Sequence, residues 1–198
     1  MTERKIPIIP TVVVVAAAAV MVALGFWQLG RADEKAALIA RYEAALESGE
    51  QRPFPSDKGS LDGRFLFHPT SFECAEVIGR EAIAGRNDRD QSGYAHIARC
   101  ETVRGVADVL LGWSRRPDAP AWDGGEVSGL IVPGGVMGRR VQMNIPAAGL
   151  EPLAKPDPSN LPNNHLAYAG QWFFFALTAL VIYWLALRRR WRDRSREG

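Results

Sequence analysis

The chain has 198 residues, of which 47% are hydrophobic, and a net charge of +2. As an average this describes a soluble domain, but the charge is uneven: residues 6–30 and 166–187 contain no Asp, Glu, Lys or Arg. A purely soluble protein and a multi-span transporter are both excluded, leaving two hydrophobic ends around one polar domain large enough to bury its own core.

Residues 1–5 read as a short cytoplasmic N-terminus, and residues 6–29 as the first membrane span. At about 1.5 Å per residue a helix of this length crosses a hydrocarbon core of about 30 Å. Pro7 and Pro10 fall in its first turns, where a missing N–H costs least. A cleaved signal peptide is the competing reading. Its apolar core is usually shorter and ends in small residues, whereas this run ends in Gly25-Phe26-Trp27-Gln28-Leu29-Gly30-Arg31. An uncleaved anchor fits better. A mitochondrial transit peptide does not fit, because only five residues, one of them Glu3, precede the run. A bacterial protein is the natural expectation.

Residues 30–164 read as one extracytoplasmic domain. Leu38, Ile39, Tyr42, Ala45 and Leu46 recur at spacings of three and four, which predicts a helix over 31–48 continuing the first span. Gly49 and the Pro53-Phe54-Pro55 segment end it. Short stretches at 63–67, 71–80, 93–99, 106–113 and 126–132 are rich in β-branched and aromatic residues and bounded by Gly, Pro, Asp and Asn. They predict strands of an antiparallel sheet or small barrel. Residues 87–93 read as a hairpin turn, and the Pro-rich 145–164 as a loop. Residues 165–187 form the second span and 188–198 an arginine-rich tail. The expected fold class is therefore an α+β membrane protein, with two transmembrane helices flanking a mainly antiparallel β domain.

The basic residues set the expected topology. Arg4 and Lys5 precede the first span, six arginines follow the second, and the region between is net negative. The positive-inside rule puts both termini in the cytoplasm and the central domain outside, in the periplasm of a bacterial inner membrane. The arginine cluster reads as a topology and lipid-headgroup determinant, not a nucleic-acid patch. Cys74 and Cys100 would lie where a disulfide can persist, and they make a plausible pair. There is no C-x-x-C, so redox or copper transfer through a paired motif has no support.

No enzyme constellation is present: no glycine-rich phosphate loop, no H-E-x-x-H and no G-x-S-x-G. His68 and His96 read as ordinary strand or core histidines. His165 is different. It lies at the outer end of the second span, with Tyr168, Ala169 and Trp172 on the same helical face. Two readings fit. One is an interfacial aromatic belt in which histidine is tolerated. The other is an axial metal ligand, since neutral imidazole binds haem iron and small and flat side chains make room for a macrocycle. Trp27, Gln28 and Arg31 end the first span at the same depth and would lie opposite His165. Arg31 either pairs with a haem propionate or simply ends the span.

These two segments carry a resemblance. Leu24-Gly25-Phe26-Trp27-Gln28-Leu29-Gly30-Arg31, with Lys35, Leu38 and Ile39, resembles the "LGxWQLxR…K…LI" signature of the Surfeit locus 1 family. Asn163-Asn164-His165-Leu166-Ala167-Tyr168-Ala169-Gly170-Gln171-Trp172-Phe173 is similar to its "NNHLxYAxTWF" signature. Gly63-Arg64-Phe65, Gly93-Tyr94 and Val109-Leu110-Leu111-Gly112-Trp113 follow in family order. Two departures stand out: Gln171 replaces Thr, and Leu111 stands where "VNRGWVP" has Arg, a role left to Arg115 or Arg116 or lost. The resemblance implies a non-enzymatic assembly factor for haem–copper terminal oxidases, chiefly cytochrome c oxidase. It implies transient binding of haem a and its transfer to oxidase subunit I, alongside other assembly and haem a synthesis proteins. It also implies His165 as the iron ligand; by their position, Tyr168 and Trp172 would line the site and Trp27, Gln28 and Arg31 would close it from the other helix. The alternative is a protein-only scaffold that stabilises an oxidase intermediate without haem.

Overall fold

The computed structural model describes residues 6–55, 63–118 and 121–194. They fall into two units, one of Met1–Leu38 and Pro162–Gly198, the other of Ile39–Leu161.

The first unit is a helix pair. Helix α1 (Ile8–Ser48) is a single 41-residue helix, because the apolar run and the amphipathic pattern after it join without a break. Helix α2 (His165–Arg194) runs seven residues past the predicted end of the second span, into the arginine tail. Mean hydropathy reaches 2.6 in α1 and 1.7 in α2, and only 11% and 6% of those windows are buried. Val12, Val13, Val20, Phe174, Leu177 and Ile182 all face outward. A core helix of a soluble protein would bury such residues; both helices are long and apolar enough to cross a membrane.

Small residues form the seam between the helices. Ala18, Gly25 and Ala32 are buried at intervals of seven on α1, as are Ala169 and Ala176 on α2. Two cross-helix hydrogen bonds fix an antiparallel register: Thr11 to Tyr183, and Gln28 to His165. That register sets Ala18 opposite Ala176 and Gly25 opposite Ala169. A seven-residue repeat keeps one stripe facing its partner, and small side chains let two backbones approach where lipid supplies no hydrophobic drive. A Cβ on Gly25 would lie within 2.9 Å of three Phe173 ring carbons. Phe26 meets the same ring edge-on at 5.4 Å.

The second unit is a six-stranded sheet. The strands are β1 (Pro69–Cys74), β2 (Glu76–Arg86), β3 (Ser92–Thr102), β4 (Gly105–Ser114), β5 (Gly125–Pro133) and β6 (Arg139–Met143), in the order β1-β5-β6-β4-β3-β2. All pairings are antiparallel except β4 with β6. The two edge strands are consecutive in the chain, separated only by Ala75. One long strand therefore pairs with β5 through its first half and with β3 through its second, and the sheet curls into a small barrel. The Ala75 amide donates to the Glu101 carbonyl at the crossing. Cys74 is bonded to Cys100 there, across a 5.3 Å Cα separation. The interior holds Cys74, Ala98, Cys100, Val109, Leu111, Val127, Ile131 and Val141. A second cluster of Ala95, Ile97, Leu110 and Val132 lies against Leu153 of the Pro-rich loop.

Two sequence expectations are corrected, and one strand, β6, was not foreseen. Gly63–Phe67 is a turn, not a strand: Phe67 adopts φ 63° and buries its ring at 5.0 Å from Tyr42. The predicted strand 71–80 divides at Ala75, where the barrel closes. Strand β6 has no alternating signal because Arg139 is itself buried, donating to the Pro55 carbonyl and lying over Phe54. Residues 1–5 and 195–198, parts of the predicted N-terminus and tail, lie outside the described residues.

Candidate functional site

His165 is the first residue of α2. Asn164 precedes it, and its carbonyl accepts the Tyr168 amide to start the helix. The helix begins here because Pro162 and the Asn pair favour a turn, and the apolar helical run follows directly. This geometry turns the His165 ring into the seam, half-buried, and brings Gln28 of α1 to it: Nδ1 lies 2.8 Å from Gln28 Oε1. Nε2 has no hydrogen-bond partner among the described residues.

The other expected site residues lie on one flank of this pair. At about 100° per residue, Trp27 and Arg31 fall to one side of Gln28, and Tyr168 and Trp172 to one side of His165. In antiparallel helices these rotational senses coincide, so all four share a flank. Trp27 is 58% exposed and Tyr168 52%, so neither closes over His165. Trp172 is half-buried and meets Phe175 edge-on at 6.3 Å. Arg31 is ion-paired with Glu34 of its own helix. The opposite flank is filled by Phe26 and Phe173 packed over Gly25.

Sequence reasoning gave no role to Gly25 or Asn163, and it put Ala169 on the face of Tyr168 and Trp172, whereas the structure buries it in the seam. Gly25 and Ala169 set how closely the helices approach, and their periodicity is masked by neighbouring alanines. Asn163 carries a buried Oδ1 with no hydrogen-bond partner among the described residues, two residues before His165. Its only sequence signal is its place in the Asn-Asn-His run.

The donor set defines what the site could hold. No group of three or more His, Cys, Asp or Glu side chains comes together among the described residues. A lone imidazole cannot cage a free ion, but it suits the axial position of an iron whose other ligands come from a macrocycle. The open aromatic flank and the orphaned Asn163 oxygen are compatible with such a group.

The remaining histidines lie in the sheet unit. His96 is fully buried; its Nε2 is 2.8 Å from Ser114 Oγ, and Nδ1 is unpartnered. Burial pushes its pKa below the usual histidine value, against smaller opposing effects from the Arg116 backbone and Asp118. His68 Nδ1 lies 3.0 Å from the Glu50 carbonyl. It borders a cleft of about 570 Å³ lined by Arg41, Tyr42, Arg52 and Arg64, where Arg52 pairs with Glu50.

The central motifs serve packing. Gly93 leaves room for the Trp113 ring, which is buried and donates to the Gly85 carbonyl. Leu111 is inside the barrel, 1% exposed, while Arg115 and Arg116 are at the surface. Neither Arg115 nor Arg116 takes up that interior position.

A sequence model of the SURF1 family matches residues 15–177, from the first span through Trp172 and beyond. Comparison with curated proteins gives no match.

Proposed function

The chain belongs to the SURF1 family, and from that premise we propose that it is a two-span assembly factor of a bacterial inner membrane that holds haem a at His165. The family is associated with cytochrome c oxidase assembly. In this reading both termini are cytoplasmic and the barrel is periplasmic, where the Cys74–Cys100 bond is stable. The partners are oxidase subunit I and the proteins that make haem a.

One observation carries the haem reading. His165 is held across the helix seam through one ring nitrogen, and the other nitrogen has no partner among the described residues. When bound, haem a supplies the iron that this nitrogen would ligate. Everything else falls to the chain's own side chains. Tyr168, Trp172 and Trp27 offer flat apolar surface on the open flank. Arg31 spends one guanidinium nitrogen on Glu34 and keeps further N–H donors for a carboxylate. A single protein ligand on an open flank gives moderate affinity, which transfer requires.

The test is co-expression with haem a synthesis, followed by measurement of the haem a that copurifies. His165→Ala is expected to lose most of it. Equal haem a in variant and wild type refutes the ligand assignment. Oxidase assembly supported by a wild-type protein that never carries haem a would establish the protein-only scaffold instead.

A further inference from the structure

We propose that Gln28 is the positioning residue of this site: its side-chain carbonyl holds the proton of His165 on Nδ1 and so leaves Nε2 as the lone-pair nitrogen. The purpose of this arrangement rests on the haem reading above; the geometry does not. Gln28 Oε1 lies 2.8 Å from His165 Nδ1. A carbonyl oxygen only accepts, so Nδ1 must donate. A neutral imidazole has a single N–H, so Nε2 then carries the free electron pair. A histidine side chain free in water favours the opposite tautomer, with the proton on Nε2. Gln28 therefore reverses the intrinsic preference and leaves the free electron pair on the nitrogen farther from the backbone.

The anchor is stiff. Gln28 sits mid-helix, one turn from buried Gly25 and one from buried Ala32, both in the seam. His165 is in the first turn of the facing helix, which is held in register at its far end by Thr11 and Tyr183. The bond thus fixes ring orientation as well as tautomer. In apolar surroundings it meets little competition from water. A half-buried polar pair beside a stripe of Ala and Gly has no packing rationale, since Leu or Ala would fill the same space. Partners that orient a ligating imidazole in this way typically change metal affinity by about 10–100-fold.

The experiment uses the full chain in lipid nanodiscs, labelled with 15N-histidine and free of haem, at mildly alkaline pH. The His165 resonances are those missing from His165→Ala. Wild type is expected to show a protonated Nδ1 and a bare Nε2. Gln28→Leu, which keeps the seam apolar, is expected to return most of the proton to Nε2. Gln28→Glu keeps the acceptor and is expected to restore the wild-type pattern. A wild-type Nε2 that carries the proton, or a Gln28→Leu spectrum unchanged from wild type, overturns the proposal. After haem a loading, Gln28→Leu is expected to retain haem about tenfold more weakly, with Gln28→Glu close to wild type. Unchanged retention despite a reversed tautomer also overturns it. A wild type with the expected tautomer that retains no haem a defeats the haem reading and leaves the Gln28 geometry standing, so the two failures are distinguishable.

Discussion

Gly25→Ala is a one-carbon test of the helix seam. The added Cβ would lie within 2.9 Å of three carbons of the Phe173 ring, where carbon contacts normally sit at about 3.5–4.0 Å. The Phe173 ring must shift by about 1 Å. Overpacking of this kind costs about 1–3 kcal/mol. Losing the edge-on Phe26–Phe173 contact adds about 0.5–1.5 kcal/mol. Helix propensity opposes this, since Ala is favoured over Gly by about 1 kcal/mol. Gly30→Ala isolates that last effect, because nothing lies within 4 Å of its Cβ position. Gly30→Ala should therefore stabilise slightly and Gly25→Ala destabilise, a gap of about 2–4 kcal/mol between two identical substitutions on one helix. The assay is denaturant unfolding in detergent micelles followed by Trp27 and Trp172 fluorescence, with the His165 15N spectrum alongside. If both variants stabilise equally, the close-packed seam is wrong.

Other parts of the molecule give further tests. Replacing Cys74 and Cys100 with serine releases a crosslink spanning 26 residues. Loop-closure entropy makes that worth about 3.5 kcal/mol, so the barrel's denaturation midpoint should fall sharply while α1 and α2 keep their helical circular dichroism. A midpoint unchanged from wild type would mean that the barrel closes without the bond. His96 tests burial. Its pKa is depressed in the folded state by desolvation, so the unfolded chain takes up the proton first as pH falls. Stability should be flat above about pH 6.5 and decline below it with a slope of up to about 1.4 kcal/mol per pH unit. His96→Gln should remove that contribution, and an identical pH profile in the variant would contradict the assignment.

The outline of the molecule was legible because its strongest signals are compositional. Two charge-free runs of this length flanking a polar domain read as membrane helices, and both are helices long and apolar enough to cross a membrane. The helix after the first span and most of the strands followed from their periods. What escaped depends on long-range closure. Nothing local to Ala75 says that one strand is divided between two partners. Gly63–Phe67 has strand-like composition, yet the Phe67 ring is buried from a left-handed backbone. Arg139 disguises a strand because its charge is satisfied by the Pro55 carbonyl and the face of Phe54. At the site, the motifs placed Gln28 and His165 at the same depth, and the structure bonds them. The sequence did not show that Trp27, Arg31 and Tyr168 lie out on a flank, because rotation about a helix axis is set by the seam. The seam stripe of Ala18, Gly25 and Ala32 is hidden in a run already rich in alanine.

The central claim is that His165 ligates haem a, and the absorption spectrum of the detergent-solubilised chain, purified after co-expression with haem a synthesis, tests it most directly. Wild type should show a Soret band with the character of histidine-ligated haem a, and His165→Ala should lose most of that band while retaining wild-type helical content. A band of equal position and intensity in His165→Ala, or no band in wild type with haem a available, would contradict the account.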